Sequence, residues 1–462
     1  MERQELQNSI AAGIGTAIQK IILQKQDNRC EEVIKQYEPE RHKVTDEQAR
    51  PKKKVKKDDI TMLEEVNRIT VALQKLIVNR AASFLVGAPI ELQCLPADED
   101  QKTLLAMLEK TWEDNKLNFK SKFLAKHMMA YTECAEIWYV DEVDPLEYWG
   151  IKGVERYRMR ISVLSPKKGD KLYPVFDMMG NLVAFGRGYE VKVEGRTAQR
   201  FDLYTDDKIY YTSQTSGEWK VVENGEIANP IGKIPVIYYS QEAAEWADVQ
   251  RAIERLETLL SNFADTNDYF GSPMIFAKGT ITGFASKGEQ GKIITGEKEA
   301  DIKYLTWESA PESIKLEIET LFDIIYTVTQ TPNITFKEMK GLGQLSGVAI
   351  KLLFMDAHLK AADKQDDVFG ECIQRRINFL KVALSKINPA TKKALSMSII
   401  PKFGLFTPNN EKEEIEILSV AAGGKPIMSQ RTAVKLNPFV TDVDEEMDLI
   451  GKEGAGSLEE QF

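Results

Sequence analysis

Lys337, Lys340, Gly341, Gly343 and Gln344 share one short stretch, TPNITFKEMKGLGQLSGVAI, at residues 331–350. Two lysines on a glycine-bearing loop suit a polyanion, since an ammonium on a flexible stem meets phosphate as a point charge and reads no base. The glycines also invite a nucleotide-binding reading. Gly341, Gly343 and Gly347 give GxGxxxG rather than GxGxxG, and the preceding EMK is no buried strand. The strand–loop–helix context of a dinucleotide site is missing, and GxxxxGK[ST] does not occur, so the chain carries no Walker lysine. Ser346-Gly347 reads more simply as a helix N-cap with its flexible neighbour.

Other groupings are weaker. Asp363, Asp366, Asp367 and Glu371 could form a metal cluster, but they lie among Lys360, Lys364 and Arg375 at helix-pair spacings, which makes a salt-bridged helix face the preferred reading. Trp138, Tyr139, Tyr148 and Trp149 could stack bases, though such residues more often fill the core of a β domain. His42, His127 and His358 are the only histidines, and none sits in a metal-ligand motif. Cys30, Cys94, Cys134 and Cys372 lie far apart without CxxC spacing and read as reduced thiols of a cytosolic protein. No nucleophile, base and orienting group assemble, so the residues point to no enzyme, cofactor or metal.

The elements that must position the loop are long helical patterns. Before it, Ile314, Leu316, Ile318, Leu321, Phe322 and Ile325 recur near helical spacing, and Pro332 stops that helix. After it, Val348, Leu352, Leu353, Met355 and Leu359 begin a second helix. A connection of about fifteen residues between helices is long for a compact domain and is usually functional or disordered. Further upstream, residues 241–269 predict a helix about 40 Å long at 1.5 Å per residue, and the glycine-rich stretch 271–311 holds the strand-like runs PMIFAKG, GKIITG and IKYLTW.

Residues 1–40 read as helical, with Ile10, Ile14, Ile18, Ile21 and Ile22 on one side, and residues 103–132 as another helix with Leu104, Leu105, Met107, Leu108 and Trp112 as its apolar face. The run PKKKVKK at 51–57 could be a nuclear-import or nucleic-acid patch; a solvated basic linker is preferred, because its flanks are polar and no aromatic is interleaved. From Ala135 to Tyr239 short β-branched and aromatic runs alternate with turn signals at Met179-Gly180-Asn181, Ser216-Gly217 and Asn224-Gly225. From Asp442 onward eight carboxylates face the single Lys452.

At 462 residues the chain should contain two to four structural units. A hydrophobic fraction of 43% and a charged fraction of 29% describe an ordinary globular protein. The formal charge of −10 argues against gripping nucleic acid by bulk attraction. No run of eighteen apolar residues occurs and MERQELQ does not begin a secretory signal, so a soluble, intracellular chain without a membrane span is expected.

The order of parts resembles the portal proteins of tailed bacteriophages with long non-contractile tails. Asn79–Pro89, NRAASFLVGAP, resembles the family's early helix and its glycine-x-proline turn. Leu203-Tyr204-Thr205, Trp219 and Ile231–Val236 resemble its wing strands and their Gly-x-x-Pro-Val close. Asp248–Gly279, with Phe263-Ala264-Asp265 and Pro273-Met274-Ile275, resembles a first stem helix leading into a clip. Thr331-Pro332-Asn333 with Leu345–Lys351 resembles the most recognisable signature, and Pro426–Ser429 with Asp442–Glu446 resembles the C-terminal end. The first 60 residues carry no part of the resemblance.

The resemblance implies an α+β portal-type fold with long stem helices, a β-rich wing, a small α/β clip and a helical crown, assembled as a ring, usually a dodecamer. The implied division is a helical and basic region at 1–60, wing at 61–242, stem helices at 243–270 and 312–330, clip at 271–311, channel loop at 331–345, a long helix at 346–387 joining wing and crown, and crown with acidic tail at 388–462. The stem helices should run antiparallel. The implied work is passage of double-stranded DNA at one capsid vertex of the virion, with assembly in the host cytoplasm. Implied partners are further copies of the chain, the terminase large subunit, major capsid and scaffold proteins and a head–tail adaptor. In that setting Lys337, Lys340, Gly341, Gly343 and Gln344 are the expected DNA-contacting loop residues. A smaller connector or adaptor ring, and a cytosolic nucleotide-using enzyme, stay open as alternatives.

Overall fold

Phe369, Ile373, Ile377, Leu380 and Leu384 repeat at helical spacing, and together they make Val368–Ile387 the helix around which the main core is built. In this computed structural model the described residues are 1–25, 29–57, 60–193, 195–270, 274–278, 281–283, 295–296, 301–305, 311–333, 352, 354–404, 411–423, 426–440 and 442–459. The chain divides into two units, residues 1–332 with 357–405, and residues 333–356 with 406–462.

In the first unit the core helix is surrounded by Leu73–Leu85, Glu99–Asp114 and Leu117–Tyr131, whose buried Ile77, Leu85, Leu104, Leu108, Trp112, Leu124 and Met128 join the same cluster. The single helix expected over 103–132 is two. Lys116 takes a left-handed φ of 51°, and the buried Asn115 side chain donates to Thr111 O and Met159 O, both at 2.9 Å. That anchoring turns the chain where apolar periodicity alone runs on. The long helix expected over 346–387 is likewise divided among the described residues, into Met355–Asp366 and Val368–Ile387. At the break Gly370 lies so close to Gln365 that a Cβ would fall 1.7 Å from its carbonyl oxygen.

A three-stranded antiparallel sheet covers the core, with Glu133–Glu142 between Val236–Ser240 and Tyr157–Leu164. A second, five-stranded sheet is an antiparallel meander of Lys171–Phe176, Leu182–Val193, Arg196–Tyr204, Lys208–Thr215 and Glu218–Ala228. The turn signals at Gly180 and at Ser216-Gly217 are hairpin turns, with φ of 80°, 52° and 86°. Asn224-Gly225 is not a turn. It forms an irregularity inside Glu218–Ala228, where register shifts between Val221 and Glu226 and a Gly225 Cβ would meet Tyr211 O at 2.7 Å.

Among the described residues of the first 40 lie three α-helices, Arg3–Ala12, Ile14–Gln24 and Arg29–Tyr37, the first two broken at Gly13 with φ 142°. Leu6, Ile18 and Ile21 pack on Val175, Ala184, Phe201 and Leu203 of the five-stranded sheet. The N-terminal stretch therefore belongs to the body of this unit. Residues 53–57 are a strand paired with Ile60–Glu64, so the basic run is not the linker expected from its polar flanks. Register places Lys54 opposite Leu63 and Val55 opposite Met62.

Residues 388–405 also belong to this unit, not to a crown beginning at 388. Ile400–Lys402 pairs with Glu91–Gln93, and Ala394, Met397 and Ile399 are buried in the main core. The second unit, in its described part, is helical: Glu411–Ala422, Gln430–Leu436 capped by Ser429, and Val443–Glu459, with Arg431 bonded to Asp444 at 2.5 Å.

Candidate functional site

Two amphipathic helices lead up to the root of the loop. Gln250–Phe270 presents Ile253, Leu256 and Leu260 to Ile318, Leu321, Phe322 and Ile325 of Pro311–Val328. Arg255 bonds Glu317 at 2.7 Å near one level of the pair. At another level Lys360 joins Glu245, just before the first helix, to the Thr329 carbonyl, just after the second. Only an antiparallel pair satisfies both. Between the helices, Met274–Lys278 pairs with Asp301–Leu305 and Ile281–Gly283 with Thr295–Gly296; among the described residues these strands pair only with one another.

The end of Pro311–Val328 is closed by a Schellman motif. Gln330 adopts φ 51°, Thr331 N donates to Tyr326 O at 2.9 Å, and Gln330 N donates to Thr327 O at 3.1 Å. The carbonyls left over are then clamped from outside. Lys360 Nζ donates to Thr329 O at 2.7 Å, Arg80 donates to Pro332 O, and the Arg80 guanidinium lies 5.8 Å from the centre of the Tyr326 ring. Buried Thr329 and Thr331 bond through their hydroxyls at 2.9 Å. Glu245 takes Lys360 at 2.5 Å and Lys364 at 3.1 Å. Burial pushes the Glu245 carboxyl up, but the two lysines outweigh it and hold the group below the usual carboxylate range. The chain thus leaves the helix at a fixed point and in a fixed direction.

Lys337, Lys340, Gly341, Gly343 and Gln344 themselves lie outside the described residues. The Asp363/Glu371 face is only partly the ion-paired surface expected. Glu371 does bond Arg375, at 2.5 Å, whereas Lys360 and Lys364 turn to Glu245. Among the described residues no group of three or more His, Cys, Asp or Glu could hold a metal. Trp138 and Trp149 are buried in the core, while Tyr148 is half-buried and bonds Asp114. His127 stands 2.5 Å from Ser165 Oγ, but both are buried and Asp170 accepts the Ser165 amide rather than orienting the imidazole. Burial lowers the His127 pKa to about 4, keeping the ring neutral.

One further arrangement had no local signal. Residues 42–57 and 60–71 form a strap along Gln250–Phe270. On the way out Lys43 meets Glu254, His42 meets Glu257 at 2.6 Å, and Arg50 meets Asn262 and Asp265. On the way back Asn67 meets Asp265 and Asp268, Ile69 meets Ser261, and Val71 meets Glu257.

The family described as phage portal protein, SPP1 Gp6-like, matches residues 19–460. The chain belongs to that family. The portal protein of Bacillus phage SPP1 is 23% identical over 419 residues, which is 84% of this chain and 76% of that protein. Among solved structures, a chain from the virion of a native gene transfer agent particle shares 13% identity with a TM-score of 0.37, and one from the neck of an empty particle of that kind, computed with C6 symmetry, 13% with a TM-score of 0.35. Each alignment covers 80% of this chain and 89% of the other.

Proposed function

We propose that this portal-family chain closes into a ring, usually a dodecamer, at one capsid vertex of the virion. The ring's channel passes double-stranded DNA during packaging and ejection. The observation that carries ring closure is an apolar stripe left bare among the described residues: on Pro311–Val328, Leu316 is 65%, Ile324 45% and Val328 52% exposed at i, i+8 and i+12. A neighbouring copy would cover them. In this reading the two paired helices are the stem, residues 271–311 the clip, the β-rich region the wing and the C-terminal helices the crown. The clip faces the terminase large subunit and then a head–tail adaptor, and the outer surface meets capsid and scaffold proteins during assembly in the host cytoplasm. With −10 formal charge per copy, a dodecamer would let DNA slide past an acidic wall and would touch it locally.

Size-exclusion chromatography with light scattering tests the ring directly. A particle many chains in mass is expected; a monodisperse monomer at physiological salt overturns the reading. The loop is tested separately by Lys337→Ala with Lys340→Ala. Packaging or DNA retention should fall while ring mass is unchanged, because sequence-blind phosphate contacts are lost. Normal packaging by the double variant removes both lysines from the mechanism. ATP turnover belongs to the terminase in this scheme, so the purified chain should not hydrolyse ATP above background.

A further inference from the structure

The basic run 51–57 and the strand opposite it are not used by the function above. The strap carries them outward: its contacts step along Gln250–Phe270 from Glu254 through Glu257 and Asn262 to Asp265 and Asp268, so the hairpin Lys53–Lys57 with Ile60–Glu64 continues toward that helix's C-terminal end. It is two strands with no third among the described residues, and such a ribbon is marginal in water unless something packs on it. Its surface mixes charge with apolar area. Lys54 is exposed with no ion-pair partner among the described residues and shares one face of the ribbon with Leu63, 64% exposed, while Met62, 56% exposed, lies on the other face. With Glu64 also exposed on the return strand and Glu65, paired with Lys52, just beyond it, this surface suits a protein rather than a phosphate backbone.

Pro311–Val328 offers the complement. Glu312, Leu316, Glu319 and Asp323 follow one another at i, i+4, i+7 and i+11 and are all exposed. Among the described residues Glu312 and Asp323 have no cationic partner, and Glu319 has only Lys315, on its own helix at 3.8 Å. The antiparallel pairing, with Arg255 beside Glu317, sets Glu312 about level with Leu260, midway along Gln250–Phe270, and the hairpin lies beyond it, past Asp265. The strap and the second helix occupy different sides of Gln250–Phe270: the strap bonds Glu257, Ser261, Asp265 and Asp268, whereas Ile253, Leu256 and Leu260 meet the helix. Complementary patches on two flanks of one chain join copies head to tail, and such contacts close into rings when the rotation permits.

We propose that the basic hairpin of one copy docks on the Glu312–Asp323 face of a second copy of this chain, latching ring neighbours together; this rests on the ring reading above. The test is a charge swap. Lys54→Glu with Lys56→Glu and Lys57→Glu should lower the ring fraction roughly tenfold or more, since like charges then face each other. Glu312→Lys with Glu319→Lys and Asp323→Lys should do the same, and the six changes in one chain should restore the ring. Light scattering reads the ring and circular dichroism reads folding. Independently, Leu63→Cys with Leu316→Cys in the otherwise unaltered chain should give a ladder of covalent oligomers on mild oxidation. An unaltered chain that is a monomer overturns the ring reading itself. An intact ring with no ladder, or with no loss on charge reversal, overturns only the latch. An intact ring in the hairpin variant whose filled particles lose DNA assigns the hairpin to DNA instead.

Discussion

Glu136→Ala is expected to lower folding stability by about 3–5 kcal/mol, because it strands a buried guanidinium. Arg376 and Glu136 both have side chains 0% exposed. Arg376 Nε donates to Glu136 Oε1 at 2.9 Å, Nη2 to Oε2 at 2.6 Å and to Tyr239 Oη at 3.0 Å, and Nη1 to Ser121 Oγ at 2.8 Å. Burial disfavours the Arg376 charge, but Glu136 and the Tyr239 hydroxyl outweigh it and hold the group protonated. Four pieces of chain meet at this one group: the core helix, Leu117–Tyr131 and two strands of the three-stranded sheet. Arg376→Met alone leaves Glu136 buried without its cation and should cost a similar amount. Arg376→Met with Glu136→Ala removes both charges, so the double change should cost clearly less than the two single changes added. Urea unfolding at one fixed protein concentration checks this, since assembly makes apparent stability depend on concentration. A cost under about 1 kcal/mol for Glu136→Ala, or strict additivity in the cycle, would show that the pair is not desolvated.

What could be read from the sequence was what lies within a few residues. Helical spacing marks Pro311–Val328, and alternating apolar runs mark the strands between Ala135 and Tyr239, because the pattern and its cause share one segment. Elements whose cause lies elsewhere carry no such local pattern. The break at Asn115 and Lys116 depends on the Met159 carbonyl, 44 residues away. The basic run becomes a strand only because Asp265, Asp268 and their neighbours hold both ends of the strap against a helix some 200 residues later. Ile400–Lys402 is a strand because Glu91–Gln93 offers it an edge. The same holds at the site. Glycines and proline flag the loop, yet Arg80, Glu245, Lys360 and Lys364, which fix its root, look like ordinary charged residues in their own surroundings. Lys360 and Lys364 even stand at the right spacing for the nearby aspartates, and only the fold sends them to Glu245.

The Glu245 carboxylate should therefore matter more than its unremarkable sequence context suggests. Glu245→Gln leaves Lys360 and Lys364 facing each other without the charge between them. Both lysines keep some access to water, so a loss of about 1–3 kcal/mol is expected rather than the larger penalty of a sealed pair. The pH dependence gives a second signature. The folded group titrates below its ordinary value of 4.5, so its contribution is fully present above that value and disappears as pH falls through the lower, folded one. The difference in midpoint between the unaltered chain and Glu245→Gln should thus be constant near neutral pH and shrink on acidification below about pH 4.5. A local readout separates a clamp from a general stabiliser. Lys360 gives up the Thr329 carbonyl if its carboxylate anchor is lost, so the amides of Gln330 and Thr331, bonded to Thr327 and Tyr326, should exchange faster with solvent in the variant. Uniformly faster exchange across the core, with none of it concentrated at 329–332, would make Glu245 a packing residue and leave the loop root held by Arg80 alone.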